Sequence, residues 1–477
     1  MPIPNEILAV ERPKNTRVKA GPKGAYYVIA RTCIYKNGRN VPKELGVVGR
    51  IIDGKYVPNP VKKDENIDIK KYGTVALFHK AGSSIYEDLL KVFEFETSRK
   101  IYCLALLRAC EPEIRNRDIQ GEYLCSYLSE MFPDVALGEN TISSFLEDVG
   151  KHYGRVIRFM QNRLNNLSKE NVVIDGMLKS NTSETNTLSE YSRKARIKGT
   201  EDISLIYTYS TTAKEPIACH PYPGNMLDST SFDDYLKQFE VKDGFMIMDK
   251  GFSTKALREA ITKAGISYVV PMKDNCKEIA AYCLDSNFDG FIEDMNGNIR
   301  YKKVAGNNGR YYYSFHDKKI ANEQSDTYIN KERKNGSFDE NKYAARLSRF
   351  GLIVFESNAN LDAQLVYFAY KERWEIEIVF KLYKDILNRD EVNVHGDYRL
   401  YATEFINFLS TILVCRAKKM LVETSLNKTY SYKQILRFLD KAQKIRYTRN
   451  GSSSWKDNKR LKYIQSVIDV LGILKVV

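Results

Sequence analysis

The chain has 477 residues, too long for one ordinary core, so roughly three to four domains are expected. Hydrophobic residues make up 43% and charged residues 28%, a balance of soluble globular protein. No apolar run approaches the ~18 residues of a membrane span, and the N-terminus lacks the apolar core of a secretory signal. A membrane or secreted protein is therefore not expected, and the cytoplasm is. Lys+Arg number 74 against 60 Asp+Glu, for a net charge of +14. That excess favours an anionic partner such as nucleic acid, although an ordinary basic protein would also show it. The eight cysteines form no C-x2-C pair and the five histidines do not join them at ligand spacing, so free thiols rather than zinc are expected.

Residues 1–75 read as a β-rich region. Tyr26–Ala30 and Leu45–Val48 are strand-like runs, and Lys36-Asn37-Gly38 is a turn between them. Residues 76–168 turn helical, with apolar positions at three and four spacings. Leu124–Met131, the turn Pro133-Asp134 and a helix opening at Asn140 or Thr141 suggest a helix-turn-helix-like unit, a candidate DNA-binding region. Residues 169–272 alternate strands and helices. Three strands, a helix, a strand, a helix and a strand make a mixed α/β layer on one sheet. Residues 273–348 interrupt it as a β-rich insertion. Asn296-Gly297 is a hairpin signal, Tyr311–Phe315 is strand-like, and 317–346 is a polar arm. The strand pattern resumes at Gly351–Phe355, within a segment 349–390 that contains a long helix over about 361–388. Residues 391–477 read as a helical C-terminal region.

The long helix carries the most specific signal. At about 100° per residue, Tyr370, Arg373, Glu377, Lys381 and Lys384 share one narrow stripe, and Glu372 and Glu375 point about 140–160° away from Glu377. From Trp374 onward the other positions are apolar almost all round, the mark of a buried helix. A row of solvated ion pairs, Arg373–Glu377 and Glu377–Lys381, would produce the same stripe. Asp175 and Asp249 each end a short apolar strand with a glycine close behind. Singly, each could be no more than a turn or a solvated strand end. Together with Glu377 they would form an all-oxygen site suited to Mg²⁺. Two such ions can activate a water or a 3′-hydroxyl and stabilise the leaving oxygen at phosphorus.

The residues at 370, 373, 377 and 384 match the Y-x2-R-x3-E-x6-K signature of a group of bacterial insertion-sequence DDE transposases, which this chain resembles. YKERWEIEIVFKLYKDIL resembles that group's third-acid helix, VVIDGMLKS its first-acid segment and IMDKGF its second. SRKARIKGTEDISLIYTYS and PGNMLDSTSF resemble its flanking segments, so the likeness spans 170–420 firmly and 20–165 loosely. The resemblance implies an RNase H-like core interrupted by the insertion. Asp175, Asp249 and Glu377 would hold two Mg²⁺ ions, with Mn²⁺ able to substitute. Tyr370, Arg373 and Lys384 would hold DNA phosphates, and Lys381 joins them from the same stripe. It further implies double-stranded DNA partners (terminal inverted repeats and target), a homodimer on DNA, and association with the nucleoid. Relatives that form DNA hairpins can stack a flipped base on an insertion Trp. Here Trp374 and Trp455 lie outside the insertion, so Tyr312, on the face opposite Tyr311, Tyr313 and Phe315, or Tyr301, becomes the candidate. A non-catalytic DNA-binding descendant and a metal nuclease without strand transfer are the alternatives.

Overall fold

The computed structural model describes residues 2–36, 39–59, 66–167, 172–191, 201–226, 228–240, 245–248, 254–263, 265–293, 295–307, 309–372, 374–387, 391–392, 394–449 and 452–473. The chain divides into two units, residues 1–68 with 445–456, and residues 69–444 with 457–477.

In the first unit, helix α1 (Asn5–Leu8) precedes an antiparallel meander of β1 (Thr16–Ala20), β2 (Tyr26–Lys36), β3 (Arg39–Ile52) and β4 (Lys55–Pro58). Val18, Val28 and Ile51 form its small core, with Ile3, Ile7 and Tyr56 packed around them. Strand β5 (Asn66–Lys71) follows.

The second unit begins with helices α2 (Gly73–Leu90), α3 (Phe95–Cys110), α4 (Ile119–Cys125), α5 (Leu128–Met131), α6 (Glu139–Lys151) and α7 (Tyr153–Asn165). Helix α6 starts earlier than expected. Gly138, in extended conformation, is its N-cap in place of Asn140 or Thr141. Glu139 then puts a negative charge in the first turn, where the helix dipole favours it.

Next come β6 (Val172–Asn181), β7 (Glu190–Tyr191), β8 (Glu201–Ser210), β9 (Glu215–Pro223), α8 (Asp228–Gln238), β10 (Phe245–Met248), α9 (Lys255–Lys263) and β11 (Ser267–Pro271). Apart from the two-residue β7, this is the order read from the sequence. Then follow α10 (Lys277–Ala281), β12 (Gly290–Phe291), β13 (Ile299–Ala305), β14 (Tyr311–Asp317), the arm helices α11 (Lys318–Lys334) and α12 (Glu340–Arg346), and β15 (Leu352–Ser357). Asn296 and Gly297 take φ of 49° and 65°, as a tight hairpin turn requires. The arm helices have no buried residue, and Asp317 caps α11 by accepting from the Lys319 and Ile320 N–H groups.

Among the described residues the main sheet has eleven strands. Its path is β12-β13-β14-β15-β11-β10-β6-β8-β7, with β9 on β8 and β16 (Glu391–Val392) on β6. Strand β10 runs parallel to both β6 and β11, β16 runs parallel to β6, and the other pairs named are antiparallel, so the layer is mixed α/β. The strands between 273 and 348 extend this sheet through the β14–β15 ladder, whose register is Tyr313↔Phe355.

The expected long helix is present on both sides of Arg373, which lies outside the described residues. It runs as α13 (Ala363–Glu372), α14 (Trp374–Lys381) and a π-helical turn, Leu382–Ile386. Helices α15 (Asp397–Glu423) and α16 (Tyr432–Leu439) follow, then β17 (Gln443–Arg449), β18 (Ser452–Asp457) and α17 (Lys462–Leu471). The C-terminal region is thus not wholly helical. Asn450-Gly451, outside the described residues, is the sequence signal for a hairpin there.

Side chains on adjacent residues of β8 show what covers each face of the sheet. Tyr207 meets Phe380 of α14 and Phe408 of α15 at ring distances of 5.8 and 6.3 Å. Thr208, on the other face, bonds Tyr235 of α8 at 2.8 Å. Helices therefore lie on both sides.

Candidate active site

Asp175 sits in β6 directly opposite Tyr207 of β8. Residues directly opposite in an antiparallel pair project to one face. Asp175 is therefore on the face covered by α14 and α15, half-buried, with its Oδ1 accepting from the Gly176 N–H at 2.8 Å. Phe380, which packs on Tyr207, lies one helical turn beyond Glu377, so Glu377 shares its side of α14. Glu377 is also half-buried. Two carboxylates, each partly open to water, thus belong to the same face of the sheet.

The third acid expected, Asp249, lies outside the described residues, as does Arg373. Among the described residues the ladder between β10 and β6 runs as far as Met248↔Ile174, next to Asp175. Among the described residues no three His, Cys, Asp or Glu side chains gather as metal ligands. Asp175 and Glu377 offer anionic oxygens, the donor type that magnesium takes, and so fit that ion by chemistry.

Tyr370, Lys381 and Lys384 each have further neighbours of their own. Tyr370 is half-buried on α13, its ring 4.5 Å from Phe355, and lines a cleft with Lys273, Asp274 and Arg349. Lys381 is exposed at the end of α14, and its charge acts on Lys418 of α15, which burial and that like charge push below the usual lysine range. Lys384 lies in the π turn, so the stripe computed for a regular α-helix does not extend to it. Its charge acts on Asp202 of β8, a buried carboxyl that burial pushes up, against a Ser180 hydrogen bond and Lys384.

Tyr312 needs a correction as a base-stacking candidate. It is 1% exposed, within a cluster of Met272, Ile279, Leu284 and Val354, and its ring is stacked on Tyr282 at 4.9 Å. Tyr313 and Phe315 are buried on the opposite face, where Phe315 meets Tyr367 of α13 at 5.1 Å. Strand β14 is interior, paired on both edges and covered on both faces, so none of these three rings is free for a base. Tyr301 on β13 remains half-exposed.

The sequence reading missed a buried polar network beside the acids. Lys179 shares Asp175's face of β6 and donates to Glu404 Oε1 at 2.7 Å and to the Tyr383 hydroxyl at 2.9 Å. Tyr383 in turn donates to Glu404 Oε2. Asn407 donates to Glu404 at 3.3 Å and accepts from Arg108 at 3.1 Å. Two signals could have found it. Lys179 is four residues from Asp175 on a strand, and Glu404 is an acid at the head of the apolar-rich stretch Phe405–Val414.

The family model described as "Transposase DDE domain" matches residues 169–413. A solved structure, the piggyBac transposase synaptic complex with hairpin DNA, is similar at 13% identity and TM-score 0.40, covering 78% of this chain and 80% of that one. No curated protein matches.

Proposed function

The chain belongs to the transposase DDE domain family, and from that premise we propose that it cleaves phosphodiester bonds at transposon ends and transfers the freed 3′-hydroxyls to target DNA. The observation that carries this reading is the pair Asp175 and Glu377, brought to one face of the sheet within the matched residues. Asp249 completes the set, on an RNase H-like core. Bound between these acids, two magnesium ions, or manganese in their place, would supply an activated water or 3′-hydroxyl and stabilise the leaving oxygen.

The chain's own groups do the rest. The Gly176 N–H holds one Asp175 oxygen, which fixes the carboxylate's direction. Tyr370 and Arg373 grip phosphate beside the acids. Lys381 and Lys418 are like charges close enough to act on each other, and a DNA phosphate between them would relieve their repulsion. Lys384 serves DNA only to the extent that Asp202 leaves its charge available. Both transposon ends are handled together, so the chain works as a homodimer on double-stranded DNA.

The test uses purified chain, Mg²⁺ and duplexes carrying the inverted repeats that flank its gene. Asp175→Ala, Asp249→Ala and Glu377→Ala should each abolish cleavage while leaving DNA binding nearly intact. Glu375→Ala should keep substantial activity. Equal loss from Glu375→Ala and Glu377→Ala would sink the assignment of Glu377. Binding without cleavage by the unmodified chain, with either metal, would return the protein to a DNA-binding descendant.

A further inference from the structure

The first unit contains a two-stranded ribbon that its small core does not cover. Strand β1 accompanies β2 only as far as Thr16↔Ala30, and β4 accompanies β3 only from Gly49. Beyond them β2 and β3 continue alone through six pairs, Arg31↔Glu44 to Lys36↔Arg39, a reach of about 20 Å at ~3.3 Å per residue. Residues 31–34 and 39–47 are exposed on both faces, including Ile34, Val41 and Leu45 at 40%, 42% and 64%. An isolated two-stranded ribbon is marginal in water, so this one gains from a partner.

The ribbon's chemistry selects the partner. On one face Thr32, Ile34, Arg39, Val41 and Lys43 alternate cations with small apolar and hydroxyl groups, and no described residue there is acidic. Glu44 lies on the other face and is paired with Arg17. The edges resist a further strand. Pro42 lacks an N–H, and register shifts at Val28/Ile29 and Ala30/Arg31 interrupt the ladder at the ribbon's base. A second copy adding to the sheet is therefore disfavoured. The major groove of B-DNA admits a two-stranded ribbon, offering phosphates to cations on its rims, and thymine methyls and acceptor edges inside.

We propose that the β2–β3 ribbon enters a DNA groove through its Arg39–Lys43 face and contributes to recognition of the transposon end. This rests on the reading that the chain acts on DNA. The experiment measures binding of inverted-repeat and scrambled duplexes by fluorescence anisotropy across a salt series, with the full chain. Variants are Arg39→Ala/Lys43→Ala and Ile34→Asp, all at exposed positions, with the denaturation midpoint as the folding check. The double variant should bind about tenfold more weakly at physiological salt. Its slope of log affinity against log salt should flatten by about 2. Ile34→Asp should reduce the preference for the inverted repeat over the scrambled duplex.

Unchanged affinity and slope in both variants, with salt-dependent binding by the unmodified chain, would overturn the ribbon's role alone. Loss of a dimer by mass photometry with DNA affinity preserved would overturn it in favour of an arm between two copies. No binding of any duplex by the unmodified chain would overturn this proposal and the transposase reading together.

Discussion

Lys179 and Glu404 are 2% and 1% exposed, with nitrogen and oxygen 2.7 Å apart. Removing one partner of such a pair leaves an uncompensated buried charge, which costs about 3–5 kcal/mol. Glu404→Ala strands the Lys179 ammonium with the Tyr383 hydroxyl as its remaining partner among the contacts described above. Lys179→Ala strands the Glu404 carboxylate with Tyr383 and Asn407. Each should lower stability by that amount, read as a shift of the urea midpoint at unchanged slope. The double replacement Lys179→Met/Glu404→Leu should cost less than either single change, because no charge remains to be buried. Tyr383→Phe, which removes one hydroxyl bonded to both ions, should cost about 1.5–3 kcal/mol. It should also lower cleavage with DNA binding unchanged, because Tyr383 ties the end of the Glu377 helix to the strand that carries Asp175. Single replacements costing under about 1 kcal/mol, or a double variant worse than both, would refute a dry, mutually compensating pair.

His220 is pushed down to about 4 by burial, against an unfolded value of 6.5, with the Asp234 charge opposing. Its folded value is depressed, so its contribution is complete above pH 6.5 and is lost as pH falls toward 4. The gap is worth about 3 kcal/mol in full, with about 2 kcal/mol gone by pH 5. His220→Gln should flatten the stability profile between pH 7 and 5, and an unchanged profile would show that water reaches the ring. Tyr312→Ala should cost about 3–5 kcal/mol as a core deletion and slow every cleavage step alike. A selective effect on a hairpin intermediate would reverse that assignment. In the C-terminal segment, Lys444 and Arg460 are paired with Asp457, and Arg446 with Asp68. Neutralising the exposed Lys441, Lys456, Lys459 and Lys462 should therefore flatten the salt slope of DNA binding more than neutralising those three paired residues, and equal slopes would argue against phosphate contact.

What the sequence revealed was local. Val172–Asp175 and Phe245–Met248 were readable as strands because both are short apolar runs bounded by polar residues, and Asn296-Gly297 marked its hairpin because only a few residues tolerate those φ values. What it hid was pairing at a distance. Tyr313↔Phe355 joins the strands of 273–348 to the main sheet, and no periodicity within either segment announces that ladder. Tyr312 looked available because alternation gives only two faces and one already had an occupant. Nothing in the alternation shows that α10 and the chain after it close over the second. The Lys179–Glu404 pair joins residues 225 apart, and no spacing within either segment connects the two.

The helix phase illustrates where counting fails and why the failure is informative. A regular α-helix from Tyr370 would put Lys384 on the stripe of Glu377, aimed with it at substrate. The chain instead closes an i→i+5 bond, Leu387 N–H to the Leu382 carbonyl at 3.0 Å. Such a π turn inserts one residue into the winding and is frequent at functional sites. Here it brings Tyr383 to Lys179 and Glu404, and Lys384 within electrostatic reach of Asp202. The partners on the sheet side are Lys179 of β6 and Asp202 of β8, in the ladder that includes Asp175↔Tyr207. The irregular turn therefore makes Tyr383 a tie between the helix of one acid and the strand of the other. A hydrogen-bonded tie between helix and strand restricts small relative shifts of the two elements more tightly than packing does.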